Sequence, residues 1–221
     1  MFSSLTGIFQ YDVKKVIAYS TCSQLGYMFF ACGLSNYNVA MFHLFNHAFF
    51  KALLFLSAGA LIHILFDEQD IRKMGKLLWG LPYIYIAIII GSLAILGFPF
   101  LSGFYSKDLI LELTYSRFLF DSIFIYSLAL VGALFTAIYS LKLIFYVFFS
   151  KANFNFILFK SWNNSTPETT NYMFISIFFL IILSIISGFL FSDIFIGYGS
   201  IFWNNSILIY INHLYVIDIE Y

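Results

Sequence analysis

Three titratable side chains recur at helical spacing inside an apolar stretch: His43, His47 and Lys51, at i, i+4 and i+8. Each step of four residues advances a helix by ~400° and ~6 Å, so the three share a stripe about 80° wide and ~12 Å long. Histidine titrates near neutral pH and can bridge two hydrogen-bonding partners. Desolvation disfavours the charged form of an amine, and a lysine poised between its two states can take up and release a proton. The row therefore reads as part of a proton path. The bland alternative is a packed helix with satisfied histidines and a snorkelling lysine. It suffices for one histidine but not for the whole row at mid-span. Metal binding by His43 and His47 has the right spacing but no third ligand.

A second candidate site is Phe104-Tyr105-Ser106-Lys107-Asp108, directly after Gly97-Phe98-Pro99 and Ser102-Gly103. Proline removes a backbone donor and breaks a helix. Within hydrocarbon, freed backbone groups survive only where protein or a water-filled cavity satisfies them. Neighbouring helical side chains point ~100° apart, so Lys107 is expected to face the interior while Asp108 or Glu112 tunes its charge. The alternative is that Lys107 and Asp108 mark the aqueous end of a short helix. His63 lies ~120° from Lys51 around the helix and reads as an interfacial or packing residue.

The elements that must position these groups are membrane spans. Of the 221 residues, 62% are hydrophobic and only 10% are charged; soluble domains carry about 25% charged residues. A span needs about 20 apolar residues, and five stretches qualify: Val13 to Leu34, Val39 to Phe66, Tyr83 to about Leu113, about Phe118 to Phe149, and Tyr172 to Phe191. The fold class is thus an all-α polytopic membrane protein, with the third span broken. Residues 1–12 form a pre-helix segment, 13–192 the bundle, and 193–221 an interfacial tail anchored by Trp203 and the tyrosines. A lysine at mid-span costs about 2.5–3.5 kcal/mol on insertion scales, so Lys51 needs a partner group or a wet pocket.

If the spans alternate, Lys14, Lys15, Arg72, Lys73, Lys76, Lys151 and Lys160 share one side and Arg117 the other. Seven against one puts the first group on the cytoplasmic or matrix side. Lys142 lies toward that same side and can snorkel outward. Ser161 to Thr170 reads as an exposed loop. Cys22 and Cys32 read as packing residues, and no signal peptide is visible. The zero net charge gives no support for a nucleic-acid partner. Heavy use of Phe, Tyr, Ile and Asn fits an AT-rich organellar genome.

Longer motifs surround the candidate residues. Asp12-Val13-Lys14-Lys15-Val16-Ile17-Ala18-Tyr19-Ser20-Thr21-Cys22-Ser23-Gln24-Leu25-Gly26-Tyr27-Met28 is one, and His43-Leu44-Phe45-Asn46-His47-Ala48-Phe49-Phe50-Lys51-Ala52-Leu53-Leu54-Phe55 is another. Asp67-Glu68-Gln69-Asp70-Ile71-Arg72-Lys73-Met74-Gly75 and Gly103-Phe104-Tyr105-Ser106-Lys107-Asp108 complete the set. Together they resemble the antiporter-like, proton-pumping subunits of respiratory complex I, over residues 4–205. The resemblance implies a mitochondrial inner-membrane subunit with no cofactor of its own. NADH, FMN, iron–sulfur clusters and ubiquinone would sit in other subunits. It makes Lys51 the central relay, puts His43 and His47 on the same hydrated axis, and makes Lys107 with Asp108 the exit. It also implies most of the second of two inverted five-helix repeats.

The family's long first half, with its glutamate–lysine pair, and its lateral helix have no counterpart in this sequence. A split gene is therefore expected, with a separate chain supplying the first half beside other membrane-arm subunits and lipid. Two other readings stay open. One is a subunit of a multi-subunit cation/proton antiporter, which shares the Lys51 and Lys107 motifs. The other is a non-pumping scaffold of the membrane arm.

Overall fold

The computed structural model of the chain describes residues 1–116, 120–151 and 171–196. Their regular elements are all helical: α1 (Phe2–Phe9), α2 (Val13–Gly33), α3 (Tyr37–Ile64), α4 (Pro82–Leu96), α5 (Leu109–Tyr115), α6 (Phe120–Ile144) and α7 (Asn171–Phe195). Five-residue π-helical turns lead into α5 at Phe104–Asp108 and extend α6 at Phe145–Phe149.

At 1.5 Å per residue, the 28 residues of α3 reach about 42 Å, more than the ~30 Å of hydrocarbon in a bilayer. Tyr37–Ile64, Ser122–Phe149 and Tyr172–Phe195 are each long and apolar enough to cross a membrane. The 21 residues of α2 have the length, at about 32 Å, but carry Lys14, Lys15 and a polar stripe. The chain is an all-α polytopic membrane protein. Leu134, Leu141, Phe178, Phe179 and Phe189 stand exposed on α6 and α7, where lipid rather than water suits them.

Sequence expectation and structure differ at three boundaries, and the expected break in the third span is present. Residues 1–12 are not merely a lead-in, because α1 forms there and packs on α2 and α6. The second span stops at Ile64, because Phe66 and Asp67 adopt positive φ. The third is two helices: α4 ends at Gly97 in the left-handed region (φ 83°), where a missing Cβ removes the steric penalty, and Pro99 cannot resume it. The last helix continues to Phe195, past the expected start of the tail at 193. Arg117, Lys160, the loop at 161–170 and the rest of the tail with Trp203 lie outside the described residues.

The basic end is held together tightly. Asp12 pairs with Asp70 in an isolated antiparallel bridge, with Val13 N donating to Gln69 O (3.0 Å) and Ile71 N to Tyr11 O (2.9 Å). A Cβ on Gly75 would lie 2.2 Å from the Lys151 carbonyl oxygen. Lys14, Lys15, Arg72, Lys73, Lys76 and Lys151 therefore gather at one end of the bundle. Lys142 reaches that end too, partly exposed and held by backbone carbonyls. Its Nζ donates to the Ile8 and Gln10 carbonyls (2.6 and 2.9 Å), satisfying the C-terminus of α1. At the centre, α3 packs against α2, α4 and α7, and Phe50, Leu54 and Leu61 join Ile17, Ile88 and Leu143 in the main apolar core.

Candidate functional site

The central position of α3 buries its polar row. His43 and Lys51 are almost wholly enclosed, at 1% and 5% exposure, and His47 is half-buried between them. The two imidazole centroids stand 6.1 Å apart, one turn along the helix.

His43 joins two other elements. Its Nε2 contacts Gln24 Oε1 on α2 (3.1 Å), and its Nδ1 contacts Ser106 Oγ in the π-helical turn (2.9 Å). These contacts fit one neutral tautomer: Nε2–H donates to the amide oxygen, and the serine hydroxyl donates to Nδ1. The ring is thus held between an acceptor and a donor. His47 Nε2, Gln24 Nε2, Asn46 Nδ2 and Ser102 Oγ are buried without a protein partner. Such groups are where water enters a protein interior. Asn46 is held from its other side, where Ser187 of α7 donates to Oδ1 (3.0 Å).

Lys51 points at α2. Its Nζ donates to the Ile17 carbonyl (3.3 Å) and to the Ser20 hydroxyl. The Ser20 hydroxyl in turn donates to Ile17 O (2.7 Å), so one helical turn supplies both acceptors.

Lys107 is positioned by the break. With Gly97 ending α4, the carbonyls of the last turn need donors, and this end of the helix carries partial negative charge. Lys107 Nζ donates to Ile95 O (3.2 Å) and to Thr136 Oγ1 of α6 (3.4 Å), and lies 5.4 Å from the Tyr27 ring centroid. Tyr27 is itself tied to α6 through Ala129 O (2.6 Å). The lysine is 1% exposed, so it does not mark an aqueous helix end. Asp108 turns the other way, toward Gly97, where an added Cβ would meet Oδ1 at 3.1 Å. Asp108 is only partly buried. The π-helical geometry allows adjacent residues to face a protein cavity and the break respectively. His63 is exposed. Cys22 and Cys32 are free thiols.

Sequence reasoning named the lysines and histidines but not the groups that connect them: Ser20, Gln24, Ser106 and Thr136. A signal existed for α2. Ser20, Ser23, Gln24 and Tyr27 sit at i, i+3, i+4 and i+7, a polar stripe in an apolar helix, and all four are buried.

Fold and site together define a multi-pass helical membrane protein with buried histidines and lysines among its packed helices. The chain belongs to the NADH:quinone oxidoreductase/Mrp antiporter transmembrane family, whose description matches residues 1–136, a stretch that contains every charged and histidine group of the site. It is 54% identical to the NADH-ubiquinone oxidoreductase chain 5 of Acanthamoeba castellanii, over 96% of this chain and 31% of that one. The chain 5 proteins of Phytophthora infestans (53%, covering 100% of this chain and 32% of the relative) and Marchantia polymorpha (51%, covering 94% and 30%) are similar. The chain thus spans about a third of the length of these curated relatives.

Proposed function

We propose that the chain is part of the membrane arm of a mitochondrial respiratory complex I and takes part in proton translocation coupled to NADH:ubiquinone oxidation and reduction. Lys51, His43 and His47 are the relay, and Lys107 with Asp108 beside it is the exit. NADH, FMN, iron–sulfur clusters and quinone belong to other subunits, and this chain moves protons only. The chain lies in contact with neighbouring membrane-arm subunits and lipid of the mitochondrial inner membrane.

The observation that carries the reading is the His43 bridge. It connects the α3 row to the residue next to Lys107 through hydrogen-bonding groups alone. The imidazole of His43 and the hydroxyl of Ser106 can each both receive and give a proton, as a relay requires. Replacing Lys51 with Ala in the intact assembly is expected to lower the proton-to-electron ratio while the complex still assembles. A normal ratio overturns the proposal.

The family description also covers Mrp antiporters, which favours a cation/proton antiporter subunit as the second reading. Co-purification with ion-transport subunits, in place of flavin and iron–sulfur subunits, would establish it.

A further inference from the structure

The histidine bridge leaves one buried group between the two lysines without a use. Tyr139 of α6 is 2% exposed, and its buried hydroxyl faces the Ser23 and Ser20 hydroxyls of α2. It also lines a cavity of about 20 Å³ shared with Val16, Ile17, Ser20, Ser92, Ile95 and Ser140, among others. A cavity needs roughly 10–15 Å³ to hold one water, so this one has room for a single molecule.

Residues that line the cavity also take part in receiving both lysines. Ile17 and Ser20 receive the Lys51 ammonium. Ile95 receives Lys107, whose other acceptor, Thr136, lies one turn before Tyr139 on α6. Residues three apart on a helix are surface neighbours, so Thr136 and Tyr139 face the same gap.

We propose that Tyr139 and one water in this cavity join the Lys51 and Lys107 sites, forming a hydroxyl route alongside the histidines. This rests on the proton-translocation reading above. One ammonium gives up a proton and the other lysine, then neutral, takes one. Each oxygen between them, of Ser20, the water, Tyr139 and Thr136, accepts one proton and passes on another, so none is left charged.

The test is Tyr139→Phe in the intact complex, alone and combined with His43→Leu, with Lys51→Ala measured in parallel. The ring stays and only one hydroxyl is lost, so the complex should assemble with an essentially unchanged melting temperature. The proton-to-electron ratio is expected to drop twofold or more in at least one of the two backgrounds, with a larger heavy-water effect on the remaining pumping. No drop in either background overturns the inference. A drop that comes with a lowered melting temperature overturns it as well, because it assigns Tyr139 a structural role. If Lys51→Ala pumps normally, the underlying proton-translocation reading fails; if only the tyrosine variants do, this inference alone fails.

Discussion

His43 and Ser106 stand 63 residues apart in the chain and meet at 2.9 Å, tying the unbroken α3 to the π-helical turn that carries Lys107. Replacing Ser106 with Ala removes the hydroxyl and leaves His43 Nδ1 buried with no donor. A buried polar group left unpaired costs about 1–3 kcal/mol. The variant is expected to assemble with a modestly lower melting temperature and to pump protons several-fold more slowly. Ser106→Thr, which keeps the hydroxyl, should pump better than Ser106→Ala. Equal pumping by both variants would show that the bridge carries no protons.

Lys51 gives a prediction in which stability and function move in opposite directions. Its ammonium is buried against one carbonyl and one hydroxyl, with no carboxylate among the named partners. Replacing it with Met keeps the apolar stem and removes a cation worth about 2.5–3.5 kcal/mol of insertion cost on insertion scales. Lys51→Met should therefore give a complex at least as resistant to heat as the native one, while the proton-to-electron ratio falls. A variant that pumps normally, or one that fails to assemble, contradicts this account of the lysine.

How far the sequence reveals these features depends on the range of the interaction. Spacing along one helix exposes the His43–His47–Lys51 row, because i, i+4 geometry is local and intrusion of charge into an apolar run is costly. Gly97 and Pro99 announce the break for the same local reason. What faces the row is not local. That Lys51 turns to α2, and that Lys107 is received by a freed carbonyl of α4 and a threonine of α6, follows from how four helices pack. Hydroxyls also camouflage themselves in apolar helices, since each can bond the carbonyl one turn back, as Ser20 does to Ile17 and Thr136 to Ala133. Lys142 is the same lesson in reverse. Its position near a helix end suggests snorkelling, yet α1 supplies carbonyls that hold it.

Gly103 tests whether the break must be tightly closed. An added Cβ would lie 1.7 Å from the Ala94 carbonyl oxygen and 2.9 Å from its carbon, both backbone atoms that no side-chain rotation can clear. Overpacking of this kind costs about 1–3 kcal/mol or more. Gly103→Ala should separate the two halves of the broken helix, pull Lys107 away from Ile95, and reduce the amount of assembled complex on native gels. Full assembly at unchanged melting temperature would show that the halves can part freely.

The connector between α3 and α4 supplies a pH dependence outside the membrane. Arg72 donates to both Asp70 carboxylate oxygens (2.6–3.1 Å), and that hydrogen bonding holds the Asp70 carboxyl below its ordinary value of 3.8. Lys73 does the same to Glu68. A carboxyl whose pKa is lowered by folding adds stability that is fully present above its unfolded value and is lost as pH falls through the folded one. The connector should therefore hold unchanged from neutral pH down to about 5 and loosen below about 4. Its contacts pin the start of α2, one to two turns before the acceptors of Lys51, so loosening there reaches the site. Hydrogen exchange at the Arg72 amide, which donates to Asp70 Oδ1 (3.0 Å), and at the Ile71 amide reads this directly once corrected for intrinsic exchange. Protection should fall below pH 4 in the native chain, and Asp70→Asn should show low protection at Arg72 at every pH. Protection at Arg72 that stays constant through pH 3 in the native chain would show that the Asp70–Arg72 pair does not hold the connector.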